Sequence, residues 1–246
     1  MPIGIFILVS VIKSVIVLLV LLTAVAYTVW LERKVVGHIQ NRWGPKRVGP
    51  FGLLQPLADG VKLLFKEDLT PPHVNKPLFL AAPLMALTFA LTSIAVIPFG
   101  NSITLGGWNI PLQVTDVNIG LLLILGVTSM GVYGVALAGW SSNNKYSLLG
   151  GLRASAQMVS YEIALGLSLV GVLIQSGSFS LRDIVDAQGG RFLGFIPRWN
   201  IFHYQFVGFF VYLMAAYAET NRLPFDLPEA ETELVAGYHT EYSSMK

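Results

Sequence analysis

The stretch Ile3-Gly-Ile-Phe-Ile-Leu-Val-Ser-Val-Ile-Lys-Ser-Val-Ile-Val-Leu-Leu-Val-Leu-Leu-Thr-Ala-Val-Ala-Tyr-Thr-Val-Trp-Leu31 carries a single charge, Lys13. About 20 such residues wound as a helix cover the roughly 30 Å hydrocarbon core of a bilayer, so this run reads as a transmembrane helix. Lys13 lies close enough to the N-terminal end for its stem to carry the ammonium to the interface. Ala24-Val25-Ala26 has the small-residue look of a signal-peptidase site, but the apolar run continues past it. The charges that follow, Glu32-Arg33-Lys34, end a span better than they open a mature protein.

Four more apolar runs follow, at residues 77–97, 118–140, 156–174 and 201–218, which makes five expected spans. The composition agrees: 54% hydrophobic and 12% charged residues leave too little polar surface for a soluble domain, whose charged share is about 25%. The expected fold is an all-α polytopic membrane protein, one membrane domain over residues 1–246, without internal repeats. Within the second span Ala82, Ala86 and Ala90 recur every four residues, a small-residue stripe that lets a neighbouring helix approach closely. Residues 98–116 read as a short excursion with a small hairpin around Ser102 to Leu105.

Orientation follows from the loops. Arg33, Lys34, Arg42, Lys46, Arg47, Lys62, Lys66 and Lys76 lie between the first two spans, and the next loop has no Lys or Arg. The positive-inside rule puts the first loop in the cytoplasm, the N-terminus outside and the C-terminal tail inside. A net charge of +2 offers nucleic acid no footprint. With no cysteine there is no thiolate-held iron–sulfur cluster or zinc site, and His38, His73, His203 and His239 have no ligand spacing, so no metal is expected. Any electron carrier must belong to a partner.

Three polar features break the apolar pattern. In the first loop Leu54, Leu57, Val61, Leu64 and Phe65 recur at helical spacing while Asp59, Lys62 and Lys66 lie elsewhere around the axis, which predicts an amphipathic helix from Pro56 towards Pro71-Pro72. Asp59 and Lys62, three apart, can pair with each other. In the fourth span sits Glu162, whose lone carboxylate costs about 2.5 to 3.5 kcal/mol unless paired, protonated or wetted, so a functional role is the default expectation. A pairing with Arg153 or a snorkel to the inner surface is the bland alternative.

The third feature is the tail at residues 218–242, which holds six carboxylates directly after a span: Glu219, Asp226, Glu229, Glu231, Glu233 and Glu241. Glu219 and Arg222 can pair across a helical turn, and Asp226 followed by Glu229 has the form of a capping box, which predicts a short helix from about Leu227. On that helix Glu229 and Glu233 share a face. Carboxylates crowded beside apolar walls have raised and mutually dependent proton affinities, whereas on a free surface they are only a solvated acidic face.

The wording of these features resembles one family, the quinone-chamber membrane subunit of respiratory complex I, known as the H subunit of NADH:quinone oxidoreductase. The likeness lies in Glu32-Arg33-Lys34, Gln40-Asn41-Arg42-Trp43-Gly44-Pro45, residues 48–52 and 54–63, Ser142 to Tyr146, Gly151 to Ala154, Ser160-Tyr161-Glu162, and the tail with Arg222, Phe225, Asp226 and Glu241. The resemblance implies a chamber that admits a quinone from the bilayer, with Arg33, Arg42, Asp59, Lys62 and Phe225 on its walls. It implies a proton path of Glu162, Glu219, Glu229, Glu231, Glu233 and Glu241, with Glu32, Arg222 and Asp226 as pairing residues.

The same resemblance implies a place in the cell inner membrane. The substrate would be a quinone, and the electrons from NADH would arrive through iron–sulfur and quinone-site subunits of the peripheral arm. Small antiporter-like subunits would be the neighbours in the membrane arm. Family members continue past the equivalent of Lys246 with further spans, so a truncated chain is the expectation. A membrane subunit of a group 4 hydrogenase or formate hydrogenlyase is the related alternative, disfavoured by the well-matched residues 42–62. An ion-coupled secondary transporter is the unrelated one, and neither paired repeats nor interrupted spans favour it.

Overall fold

The computed structural model describes residues 3–105, 108–192, 194, 196–202, 204–222, 224–226 and 236–244. Its contacts group into two units, residues 1–69 with 243–246, and residues 70–242. The chain is mostly helical, and four helices are long and apolar enough to cross a membrane.

In the first unit α1 spans Ile3–Ile39, 37 residues, and is about 55 Å long at 1.5 Å per residue. It therefore continues eight residues past the apolar run, because Glu32, Arg33 and Lys34 are good helix formers and nothing there breaks the ladder. Asn41 stops it. With φ of 53°, Asn41 turns left-handed, its N–H bonds to the His38 carbonyl at 3.1 Å, and the Arg42 N–H bonds to the Gly37 carbonyl at 2.9 Å. This is a Schellman ending with asparagine in the place glycine usually takes.

The chain then folds back on the helix: a Cβ at Gly37 would lie 2.9 Å from the Gly44 nitrogen, and one at Gly44 would lie 2.9 Å from the Lys34 Cα. Next comes α2, Gln55–Leu64, with Pro56 in its first turn. It is amphipathic as expected but ends well before Pro71-Pro72. Phe65 and Lys66 leave the helix by a tighter turn, and the Ser244 hydroxyl donates to the carbonyls of Leu63 and Lys66, both at 3.1 Å.

The second unit packs four helices in sequence, α3 (Lys76–Ile94) on α4 (Gly120–Ser141), α4 on α5 (Lys145–Ser176) and α5 on α7 (Phe206–Glu219). Small residues set the spacing. A Cβ at Gly134 would lie 3.0 Å from both the Ala82 carbonyl and the Ala86 Cβ, so the alanine stripe is the seam with α4 at those two positions, while Ala90 is exposed. Across α4 and α5, a Cβ at Gly139 would lie 3.0 Å from the Gly151 Cα. Because lipid tails are as apolar as leucine, such close backbone approach supplies the van der Waals contact that holds membrane helices together.

Between α3 and α4 lies the expected hairpin, β1 (Ser102–Leu105) antiparallel to β2 (Trp108–Pro111), with Ile103 opposite Ile110. Between α5 and α7 lie α6 (Leu181–Ala187) and a two-residue pairing of β3 (Arg191–Phe192) with β4 (Ile196–Pro197). Helix α5 begins at Lys145, eleven residues before the apolar run. Helix α7 has 14 residues, about 21 Å, which is shorter than the hydrocarbon and shorter than the run at 201–218. Its early start is lost to a 3-10 turn at Asn200–Phe202. The short helix expected from Leu227 lies outside the described residues.

After those residues the tail makes a 3-10 turn, Gly237–His239, against α5. A Cβ at Gly150 would lie 2.7 Å from the Gly237 backbone. Gly150→Ala should therefore lower stability by about 1–3 kcal/mol, as overpacking does. Gly126→Ala, where a Cβ meets nothing within 4 Å, should leave it unchanged. Thermal unfolding of the two variants in detergent checks this, and equal melting temperatures would show that the tail does not pack on α5 as described.

Candidate functional site

In the first unit the expected chamber residues Arg33, Arg42, Asp59 and Lys62 lie on the end of α1, the loop after it, and α2. Asp59 is the organising group. Its Oδ2 accepts from Arg33 Nη1 at 2.5 Å and its Oδ1 accepts from Gln55 Nε2 at 2.8 Å. Its ion-pair partner is thus Arg33, distant in sequence, rather than Lys62, which is exposed on α2 and adds a longer-range attraction. The Gln55 hydrogen bond is the largest effect on the Asp59 carboxyl and outweighs burial, which comes next and acts the other way; the Arg33 hydrogen bond and the charges of Arg33 and Lys62 add to the lowering, so the carboxyl is held below its ordinary value. A carboxyl lowered in this way keeps the α1–α2 tie through neutral pH and loses it only on acidification below about pH 4.

Arg42 is exposed and donates from Nε to Gln40 Oε1 at 2.7 Å. Glu32 is exposed in the last turns of α1. Beside Arg33 and Arg42 opens a cavity of about 790 Å³, also lined by Trp43, Lys46, Arg47 and Gln55.

In the second unit Glu162 is half-buried in α5, and the Ser129 hydroxyl of α4 donates to its Oε1. Ser129 also lies 2.9 Å from the Leu125 carbonyl. Among the described residues no ion pair joins Glu162 to Arg153, so the carboxylate is met by a hydroxyl and not by a cation. Glu219, in the last turn of α7, is close enough for its charge to act on that of Glu162. Two of the expected proton-path carboxylates, carried on different helices, are therefore electrostatically linked.

The start of the tail is tied down by a residue the sequence reading missed. Gln157 Nε2 lies within hydrogen-bonding distance of the Ala218 carbonyl (3.3 Å), Asn221 Oδ1 (3.3 Å) and the Phe225 carbonyl (3.0 Å), and shares its two hydrogens among them. Phe225 also meets Tyr161 edge to face at 5.4 Å. Helix α7 ends at Glu219, and Asn221 turns left-handed at φ 47°, so Arg222 lies just beyond the helix. Asp226 is half-buried. Glu229, Glu231 and Glu233 lie outside the described residues.

The end of the tail holds Glu241. Its Oε1 accepts from Asn144 Nδ2 at 2.8 Å, and its Oε2 lies 3.8 Å from His73 Nε2. Asn144 caps α5, accepting from the Tyr146 N–H with Oδ1, while Asn143 donates to the His73 carbonyl at 3.1 Å. Next to it Tyr242 stacks on Phe79 at 4.0 Å and donates to the Phe79 carbonyl, and burial pushes its hydroxyl above the usual tyrosine value, partly offset by a hydrogen bond with Ser141.

Residues 12–246 match the NADH dehydrogenase family, and the chain is 69% identical to the second H subunit of the NADH-quinone oxidoreductase of Koribacter versatilis over 99% of its own length and 71% of the relative's. The chain belongs to the H-subunit family of NADH-quinone oxidoreductase. The first H subunit of Solibacter usitatus is 59% identical over 98% of this chain and 60% of its own, and the H subunit of Thermomicrobium roseum 55% identical over 92% and 67%. The chain thus spans from 60% to 71% of these three relatives.

In this H-family chain, sequence reading missed Gln55, Gln157 and Ser129. Gln55, four residues before Asp59, was visible as a polar group at helical spacing; Gln157, five before Glu162, was not at such a spacing, and Ser129 in a run of apolar residues carried no signal. If Gln157 fixes the tail, Gln157→Leu, of similar volume, should speed hydrogen exchange over residues 221–226 by about tenfold, the worth of one to two net hydrogen bonds. Unchanged exchange there would show that the amide is not what holds the segment.

Proposed function

We propose that this chain is the quinone-chamber subunit of a proton-translocating NADH-quinone oxidoreductase and that it couples quinone reduction to proton movement through its carboxylates. The observation that carries this reading is the pair Glu162 and Glu219: a carboxylate inside an apolar helix, met by a hydroxyl, with a second carboxylate within electrostatic range at the end of α7. Membrane proteins keep such groups where protons or ions pass. Membership of a family whose relatives are NADH-quinone oxidoreductase subunits supports the quinone part.

In this proposal Arg33, Arg42, Asp59 and Lys62, with Phe225, supply the few placed polar and aromatic groups that an otherwise apolar quinone pocket needs. Quinone takes up two electrons and two protons to become quinol. The electrons come from iron–sulfur subunits of the peripheral arm, since no cysteine here can hold a cluster. The new charge on the reduced head then shifts protonation along Glu219, Glu229, Glu231, Glu233 and Glu241 towards Glu162, because crowded carboxylates titrate as a set. Glu32, Arg222 and Asp226 keep the surrounding charges paired.

The topology that goes with this is five crossings of the cell inner membrane in a single membrane domain. The N-terminus is outside, α7 belongs to the fifth crossing, and the acidic tail faces the cytoplasm and the peripheral arm. Small antiporter-like subunits continue the path in the membrane arm.

Two substitutions in the assembled complex test the reading separately. Glu162→Gln should cut coupled quinone reductase turnover and proton pumping by about tenfold or more while electron transfer from NADH to a hydrophilic acceptor stays normal. Asp59→Asn should raise the quinone KM severalfold with assembly intact. Normal pumping in the first variant would remove Glu162 from the proton path, and normal quinone kinetics in the second would remove Asp59 from the chamber.

A further inference from the structure

The cavity at the end of α1 has a charge pattern that the quinone reading does not use. Four cations line it, Arg33, Arg42, Lys46 and Arg47, and none of the lining residues is a carboxylate. Among the described residues only Arg33 has its charge met, by Asp59. Arg42 is held by the neutral amide of Gln40, Lys46 lies 3.7 Å above the Trp43 ring, and among the described residues Arg47 has no ion pair. Three guanidinium or ammonium groups are thus crowded on one short loop with no counter-charge from the described chain. The loop is also pre-formed, since Gly44 packs backbone to backbone on Lys34 and a Cβ at Gly52 would lie 2.3 Å from the Pro45 carbonyl oxygen. Held together in this way, like charges favour an anion in the space between them.

The surroundings say which anion. The apolar run of α1 ends at Leu31, two residues before Arg33, so the cavity lies at the level where hydrocarbon gives way to headgroups. Trp43 on its wall, and Phe51, Leu57, Leu64 and Phe65 in the loop after it and along or just past α2, are each about two-thirds exposed or more, in the pattern of apolar side chains that rest on acyl chains. We infer that Arg42, Lys46 and Arg47, with the Trp43 ring beside them, form a binding site for the phosphate headgroup of an anionic phospholipid. Basic pockets at the cytoplasmic end of membrane helices take such headgroups, and a guanidinium engages two phosphate oxygens at once. The inference requires α1 to span the bilayer and is independent of the quinone chemistry, although it shares Arg42 with the proposed chamber.

The test uses the assembled complex in phosphatidylcholine nanodiscs doped with a phosphatidylglycerol that carries a photoreactive group near its phosphate, with labelled peptides mapped by mass spectrometry. Labelling should fall on residues 42–47, survive an excess of inorganic phosphate, and drop about twenty-fivefold in the Lys46→Gln, Arg47→Gln double variant, from about fivefold for each cation near an anionic surface. The charge-keeping Lys46→Arg, Arg47→Lys variant should label like the wild type. Equal labelling by the matching phosphatidylcholine probe would overturn the proposal, and so would complete competition by inorganic phosphate, which would mark a site for free anions. Capture of residues 42–47 by a neighbouring protein subunit in place of lipid would overturn it as well. Should the double variant fail to assemble, the wild-type comparison of the two lipid probes decides. The Asp59→Asn kinetics can fail without touching any of these outcomes.

Discussion

The second unit depends on the backbone approach of Gly139 to Gly151, where a Cβ would have 3.0 Å of room. These residues lie on either side of the short turn between α4 and α5, so their contact fixes the register of two antiparallel helices. Ser129 lies ten residues before the first and Glu162 eleven after the second, each about three helical turns from the contact. A hydroxyl on one helix therefore arrives opposite a carboxylate on the other. A larger residue at either glycine would widen the gap and strand Glu162 without its donor. On the other side of α4 the seam of Ala82 and Ala86 with Gly134 does the same for α3, and brings the α3 end next to the turn that caps α5.

That turn is where the acidic tail comes to rest. Asn144 serves twice, closing the first turn of α5 with its carbonyl oxygen and holding Glu241 with its amide. His73 and Tyr242 extend the same cluster towards α3, and the Ser147 hydroxyl reaches the Tyr238 carbonyl at 3.2 Å. The tail is thus fixed at both ends, at its start by Gln157 and at its finish by Asn144. The first anchor is on α5, the helix that carries Glu162, and the second is that helix's N-terminal cap. Both described anchors of the tail thus lie on, or cap, the helix that holds Glu162.

Hydropathy made the membrane character and the first four helices legible, because the bilayer selects for a length of apolar chain and that length shows in the sequence. It did not mark where helices end. Helix α1 runs through Glu32-Arg33-Lys34 and α5 starts eleven residues before its apolar run, since charged residues propagate a helix as well as apolar ones outside the hydrocarbon. The reverse holds for 201–205, apolar in part but turned by a 3-10 segment. Among site residues, Asp59 was legible as a charge on an amphipathic helix, and its Arg33 partner was not, because 26 residues and a chain reversal separate them. Glu162 declared itself as a charge in a span. Its partner Ser129 is one of several hydroxyls in apolar helices that otherwise bond to their own carbonyls four residues back, as Thr88 and Thr92 do.

Glu162 and Glu241 are held by different hydrogen-bond chemistry. An amide N–H such as that of Asn144 can only donate, so it fixes one oxygen of Glu241 as an acceptor. A serine hydroxyl has one hydrogen and two lone pairs. Ser129 can give its hydrogen to an ionised Glu162, or turn it to the Leu125 carbonyl 2.9 Å away and accept the hydrogen of a protonated Glu162. Both protonation states are then hydrogen-bonded, and neither leaves a buried polar group orphaned at a cost of about 1–3 kcal/mol. Glu241 is placed to fix a turn. The Ser129 hydroxyl can stay hydrogen-bonded to Glu162 as donor or as acceptor, which is what the proposed proton path asks of it.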